Sequence, residues 1–164
     1  MRSKVLVVDD IEVDRDLLGE ILDKDYGVVK AQGGREALEL LDQNDLNIVV
    51  VLLDLLMPEM DGFAVLEAMK ERGLMGKIPV LVISAEQSAE VEEKCFEYGV
   101  SDFIRKPFEA PIIRRRVKNI VDLFAYKLHL EERVEIQAQA LCNQYRLLKE
   151  QAEEMEKEKK NSNG

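Results

Sequence analysis

The chain has no tryptophan, one histidine, two cysteines and four prolines among its 164 residues. The cysteines, Cys95 and Cys142, lie far apart without a partner pattern, which excludes a disulfide framework and reads as free thiols in a reducing compartment. Basic residues are outnumbered, 23 against 33, for a net charge of −10. That deficit argues against a nucleic-acid surface, where Lys and Arg dominate. The longest wholly apolar run is Ile48–Leu53, too short to span a bilayer. The opening MRSKVLVVDD enters a strand-like run at once, so no signal peptide is expected. A cytoplasmic protein with no membrane partner is the expectation. Glycine and proline are both missing between residues 118 and 163, where charged residues and Gln prevail. The sole histidine, His129, falls there and reads as a surface residue rather than a ligand or a phosphorylation site.

What remains is enough for one compact domain plus an appendage, with 46% hydrophobic residues to build a core. Five short apolar runs read as strands: Lys4–Val8, Gly27–Ala31, Ile48–Leu53, Pro79–Ile83 and Val100–Ile104. The first, third and fourth are almost unbroken Val, Ile and Leu, as in strands covered on both faces. The second and fifth are more polar, as edge strands are. Helical patterns lie between them. Val13, Leu17, Leu18, Ile21 and Leu22 share one face, as do Ala37, Leu38 and Leu41, then Val65, Leu66 and Met69, then Val91, Cys95 and Phe96. Strict β-α alternation predicts an α/β fold: a doubly wound, five-stranded parallel sheet of order 2-1-3-4-5, flavodoxin-like, followed by a long C-terminal helix.

In that topology ligands bind beyond the carboxyl ends of the strands. Strand one ends in Asp9-Asp10, strand three in Asp54, strand four in Ser84, and Lys106-Pro107 follows strand five. Carboxylates crowded on one rim resist joint ionisation, and a hard divalent cation, Mg²⁺ or Mn²⁺, relieves the conflict. An anionic nucleophile, a metal, an ammonium and a hydroxyl are the parts that phosphoryl transfer needs. Taken singly, Asp9 and Asp10 could equally cap a helix, and Asp61-Gly62 reads as a helix start.

The ordered set VVDD, DLLMPEMDG, ISA and FIRKPF resembles the response-regulator receiver domain over roughly residues 3 to 120. The resemblance implies a two-component signalling protein, not an enzyme. It implies phosphorylation on Asp54 by a histidine kinase or phosphotransfer protein. It further implies a metal held by Asp9, Asp10, Asp54 and the backbone carbonyl of Leu56. Ser84, Phe103 and Lys106 would contact or follow the phosphoryl group, and the bond before Pro107 would be cis. Serine stands at 84 where threonine is commoner, and Phe103 lacks a phenolic hydroxyl, so any switching there must be steric. The side chains of Leu56 and Glu86 occupy positions that adjust phosphoryl lifetime in this family. Two rivals stand beside this reading. One is an aspartate-nucleophile phosphohydrolase, which usually has a second Asp two residues after the nucleophile, where this chain has Leu56. The other is a coiled-coil scaffold that is never phosphorylated.

From Ile112 to about Lys160 nothing breaks a helix, a span of roughly 70 Å. A lone helix of that length needs a partner for its apolar stripe. Val134, Ala138, Leu141, Tyr145 and Leu148 follow a heptad frame that slips near Leu130–Val134, which predicts a parallel homodimer. The expected domains are 1–121, a receiver; 122–160, a coiled-coil extension; and 161–164, a flexible terminus. An output domain beyond Gly164 is the alternative way for such a helix to act.

Overall fold

The computed structural model describes residues 2–163. Elements follow in strict alternation: β1 Lys4–Val8, α1 Glu12–Leu22, β2 Gly27–Ala31, α2 Gly34–Leu41, β3 Ile48–Leu53, α3 Gly62–Glu71, β4 Val80–Ser84, α4 Ala89–Glu97, β5 Asp102–Arg105 and α5 Ala110–Ser162. All five strands pair in parallel, in the order β2-β1-β3-β4-β5. The two polar strands are the edges, as their composition predicts. β4 and β5 start later than the apolar runs suggest, by one and two residues. Pro79 lacks the N–H that would extend its ladder, and it enters only as an acceptor, through its carbonyl to the Val51 N–H.

The period of two along each strand divides the core into two layers. Leu6, Val8, Val51, Leu53, Val80 and Val82 face one way, against Leu38, Leu41, Leu66, Met69 and Cys95. Val5, Val7, Val50, Leu52, Leu81 and Ile83 face the other, against Leu18, Ile21, Leu22, Ile113, Val117 and Ile120. Burying both faces is what makes the central strands continuously apolar.

Two helix faces differ from the sequence expectation. Val13 and Leu17 of α1 are exposed, and the inward face is Leu18, Ile21 and Leu22 with the buried Arg15. In α4 only Cys95 is buried, while Phe96 is exposed. Apolar spacing alone marks a stripe wider than a sheet can cover.

The chain divides into two compact units after Phe124. The first holds the sheet and the start of α5, where Ile113, Val117 and Ile120 are buried. In the second, every described residue is exposed. Helix α5 continues through Asn161 and Ser162, the first two residues of the segment expected as a flexible terminus. Gly164 lies outside the described residues.

Candidate functional site

The parallel register assembles the carboxyl rim. Val8 pairs with Leu53, and the Asp54 N–H donates to the Val8 carbonyl at 3.0 Å. Asp9 and Asp54 therefore leave neighbouring strands side by side. On the far side Ser84 pairs with Arg105, and the Lys106 N–H donates to the Ser84 carbonyl at 2.9 Å. Lys106 starts one strand beyond β4, and its long side chain reaches back over the rim.

One carboxylate oxygen from each of Asp9, Asp10 and Asp54 lies within 4.8 Å of the other two. Asp9 and Asp54 are buried, at 1% and 4% exposure, while Asp10 is exposed. Lys106 Nζ donates to Asp9 Oδ2 at 2.9 Å, to Asp14 Oδ2 at 2.9 Å and to Asp54 Oδ2 at 3.4 Å. Backbone donors fix the remaining oxygens. The Ile11 N–H donates to Asp9 Oδ1 at 2.9 Å, and the Leu56 N–H to Asp54 Oδ1 at 3.2 Å. Beneath the rim the Arg15 guanidinium donates to the Asp9 carbonyl at 2.7 Å.

These contacts leave the site electron-rich. Burial pushes the Asp54 carboxyl up from 3.8 to about 6, the Asp9 charge adds to it, and Lys106 and the Leu56 N–H only partly offset the rise. Burial by itself would lower the Lys106 ammonium, but its bonds to Asp14 and Asp9 prevail and raise it, so it stays charged.

The donor set suits a hard divalent cation. Asp9, Asp14 and Asp54 face one ammonium, and Asp9, Asp10 and Asp54 offer oxygens close enough to share an ion. Carboxylate oxygens without thiolate or imidazole favour Mg²⁺ or Mn²⁺ over Zn²⁺.

The other residues singled out by the sequence fall around this cluster. Ser84 is fully buried, and its Oγ accepts from the Glu86 N–H at 3.2 Å. Phe103 is 6% exposed and packs with the α2–α4 layer of the core. The Lys106–Pro107 bond is cis. The Leu56 side chain is exposed, beside the acids but outside them. Asp61 caps α3, accepting from the Ala64 N–H at 2.9 Å. Glu59, with φ of 65°, turns the loop between Asp54 and that cap. The sequence reading does not single out Asp14 or Arg15. The available signal was position: both lie in the first turn of the helix that follows Asp9-Asp10, on the side that meets the rim.

A five-stranded parallel sheet with this acid–lysine rim defines a class of signalling domain, and sequence comparison agrees. Residues 5–118 match the response regulator receiver domain family. The chain belongs to that family. It is 36% identical over 118 residues to the two-component response regulator ORR3 of Oryza sativa subsp. indica, covering 71% of this chain and 89% of that protein. It is 41% identical over 109 residues to a protein-glutamate methylesterase/protein-glutamine glutaminase of Treponema denticola, covering 63% of this chain and 28% of that protein. Relatives of this domain thus also occur as parts of enzymes. Among solved structures, the Vibrio cholerae chemotaxis protein CheY4 superposes with a TM-score of 0.67 at 28% identity, covering 73% of this chain and 99% of that one. No helix among the described residues is long and apolar enough to cross a membrane.

Proposed function

We propose that the chain is a phosphorylation-controlled signalling module whose phosphoacceptor is Asp54. The observation that carries this reading is the convergence of three acids within 4.8 Å, with the Lys106 ammonium inside hydrogen-bonding reach of two of them. A histidine kinase or phosphotransfer protein presents phosphohistidine at the rim. An Asp54 carboxylate oxygen attacks phosphorus in line; the new O–P bond forms as the P–N bond breaks, and the imidazole leaves with the electron pair. Lys106 stabilises charge on the phosphoryl oxygens and Ser84 donates its hydroxyl to one. Asp9, Asp10, Asp54 and the Leu56 carbonyl would hold a divalent cation, which supplies charge neutralisation to the phosphoryl group.

The modified site carries about −1.5 to −2 charge. Ser84 Oγ accepts from the Glu86 N–H and keeps its own hydroxyl hydrogen to donate to a phosphoryl oxygen. Phe103 is already packed inward, so the change expected of it is repacking within the core rather than entry from solvent. Two-state bias of this kind acts only through contacts that differ between states. The chain itself is not an enzyme in this reading. The position two residues after Asp54, where a phosphohydrolase would carry its acid, holds the aliphatic Leu56.

The second copy of this chain is the proposed partner of α5 beyond Phe124. Val134, Leu141, Tyr145, Leu148 and Met155 are exposed at heptad spacing, and the flanking Gln137, Gln144 and Gln151 are uncharged. In-register pairing therefore brings no like charges together across that flank. Phosphorylation is expected to alter the pairing near Leu130–Val134, where the frame slips. The expected setting is the cytoplasm.

The test is intact mass after incubation with acetyl phosphate and Mg²⁺. A gain of about 80 Da, the HPO₃ of phosphorylation, lost in Asp54→Asn, supports the reading. An unchanged mass in the wild type, or a gain that survives in Asp54→Asn, overturns it.

A further inference from the structure

Three carboxylates surround the Lys106 ammonium, and the phosphoacceptor is the farthest of them. Nζ lies 2.9 Å from both Asp9 and Asp14, against 3.4 Å from Asp54. An ammonium has three N–H donors, so each is already engaged. Asp14 sits in the first turn of α1, outside the rim formed by the strand ends. Its side chain is 27% exposed, against 2% for Asp9.

We propose that Asp14 is a positioning residue that restrains Lys106 in the unmodified protein and must release it when Asp54 is phosphorylated. The inference rests on the reading of Asp54 as phosphoacceptor. A phosphoryl group on Asp54 presents new anionic oxygens, and the N–H that Lys106 aims at Asp54 passes to one of them. That contact is now 3.4 Å, so Nζ must move toward the phosphoryl group, and one of its two 2.9 Å bonds has to be given up. Asp9 is buried, and losing its ammonium would leave its carboxylate only the Ile11 N–H in a dry site. Asp14 is at the solvent edge, where water replaces the lost donor. The Asp14 bond is therefore the one that breaks. A contact present in one state and absent in the other shifts the balance toward the first. Asp14 accordingly opposes phosphorylation, and its carboxylate sets how much of the protein carries the phosphoryl group.

The experiment compares wild type, Asp14→Asn and Asp14→Glu with acetyl phosphate and Mg²⁺, read by intact mass. In the covalent step the Asp54 O–P bond forms, the donor's P–O bond breaks, and acetate leaves with the pair. The steady-state ratio of modified to unmodified protein should rise about two- to fivefold in Asp14→Asn, the effect of one partly exposed ion pair. Asp14→Glu, which keeps the charge, should return it toward wild type, and the gap should narrow at higher ionic strength. In the metal-free protein the Lys106 ammonium signal in ¹⁵N NMR should broaden in Asp14→Asn as solvent exchange reaches it. A ratio in folded Asp14→Asn equal to or below wild type overturns the proposal. Failure of the Asp54 reading shows separately, in wild type and Asp54→Asn alone, before any Asp14 variant is made.

Discussion

Gly62 opens α3 directly against the backbone that carries Asp54, and replacing it with alanine tests how tightly that loop is built. A Cβ there would meet the Asp54 carbonyl oxygen at 2.6 Å, Leu55 Cα at 2.7 Å and Leu55 Cδ2 at 2.9 Å. Two of those three atoms are main chain and cannot rotate aside. The Gly62 N–H also donates to the Leu55 carbonyl at 2.9 Å, which keeps helix and loop pressed together. Comfortable contact needs about 3.5 Å, so the loop must give by most of an ångström. Overpacking of this kind costs about 1–3 kcal/mol. Alanine recovers at most about 1 kcal/mol of helix propensity, and less in a first turn. The net expectation is a loss of about 1–2 kcal/mol, read as a lower urea midpoint at unchanged slope. Gly76→Ala is the control, because a Cβ there meets nothing within 4 Å. It should be neutral, or gain about 0.5 kcal/mol through a less flexible unfolded chain. Phosphorylation of Gly62→Ala should also slow, since the wedge shifts the segment that aims the nucleophile. A Gly62→Ala midpoint matching the control would refute the packing argument.

Asp54→Asn should alter the pH dependence of stability in metal-free protein. Burial raises the folded-state carboxyl to about 6 from 3.8, so the folded form holds its proton more tightly than the unfolded chain does. That relative advantage is full below about pH 4 and is lost as pH rises through about 6, leaving wild type up to about 3 kcal/mol less stable than the variant at pH 7. Urea melts in a chelator across pH 4 to 8 check this, and parallel curves for the two proteins would contradict it. Lys106→Met removes the ammonium that Asp9 and Asp54 share at 12% exposure, and should cost about 3 kcal/mol in chelator. Added Mg²⁺ should recover part of that loss through binding to the folded state, visible as a melting temperature that climbs with metal concentration. Leu141→Glu combined with Leu148→Glu places charge in the proposed seam, and light scattering should report a shift from dimer to monomer with phosphorylation by acetyl phosphate unchanged.

The α/β alternation and the rim acids were legible in the chain because they follow from local chemistry, and the strand order because the most apolar runs must lie in the middle of the sheet. Central strands buried on both faces must be continuously apolar, so Lys4–Val8 and Ile48–Leu53 declare their places. A charge that interrupts such a run, as Asp9 and Asp54 do, marks where the strand ends and the rim begins. Helix faces were less legible. Val13 and Leu17 fit the apolar spacing of α1, yet the sheet takes Leu18, Ile21 and Leu22, and no periodicity says how wide a stripe the neighbours will cover.

The sequence by itself determined which groups follow each strand, because side-chain type and strand limits are local properties of the chain. Only the tertiary structure decided how one ammonium is divided among Asp9, Asp14 and Asp54. That division depends on differences of half an ångström and on which carboxylate keeps access to water, and both are set by packing between residues up to 97 positions apart.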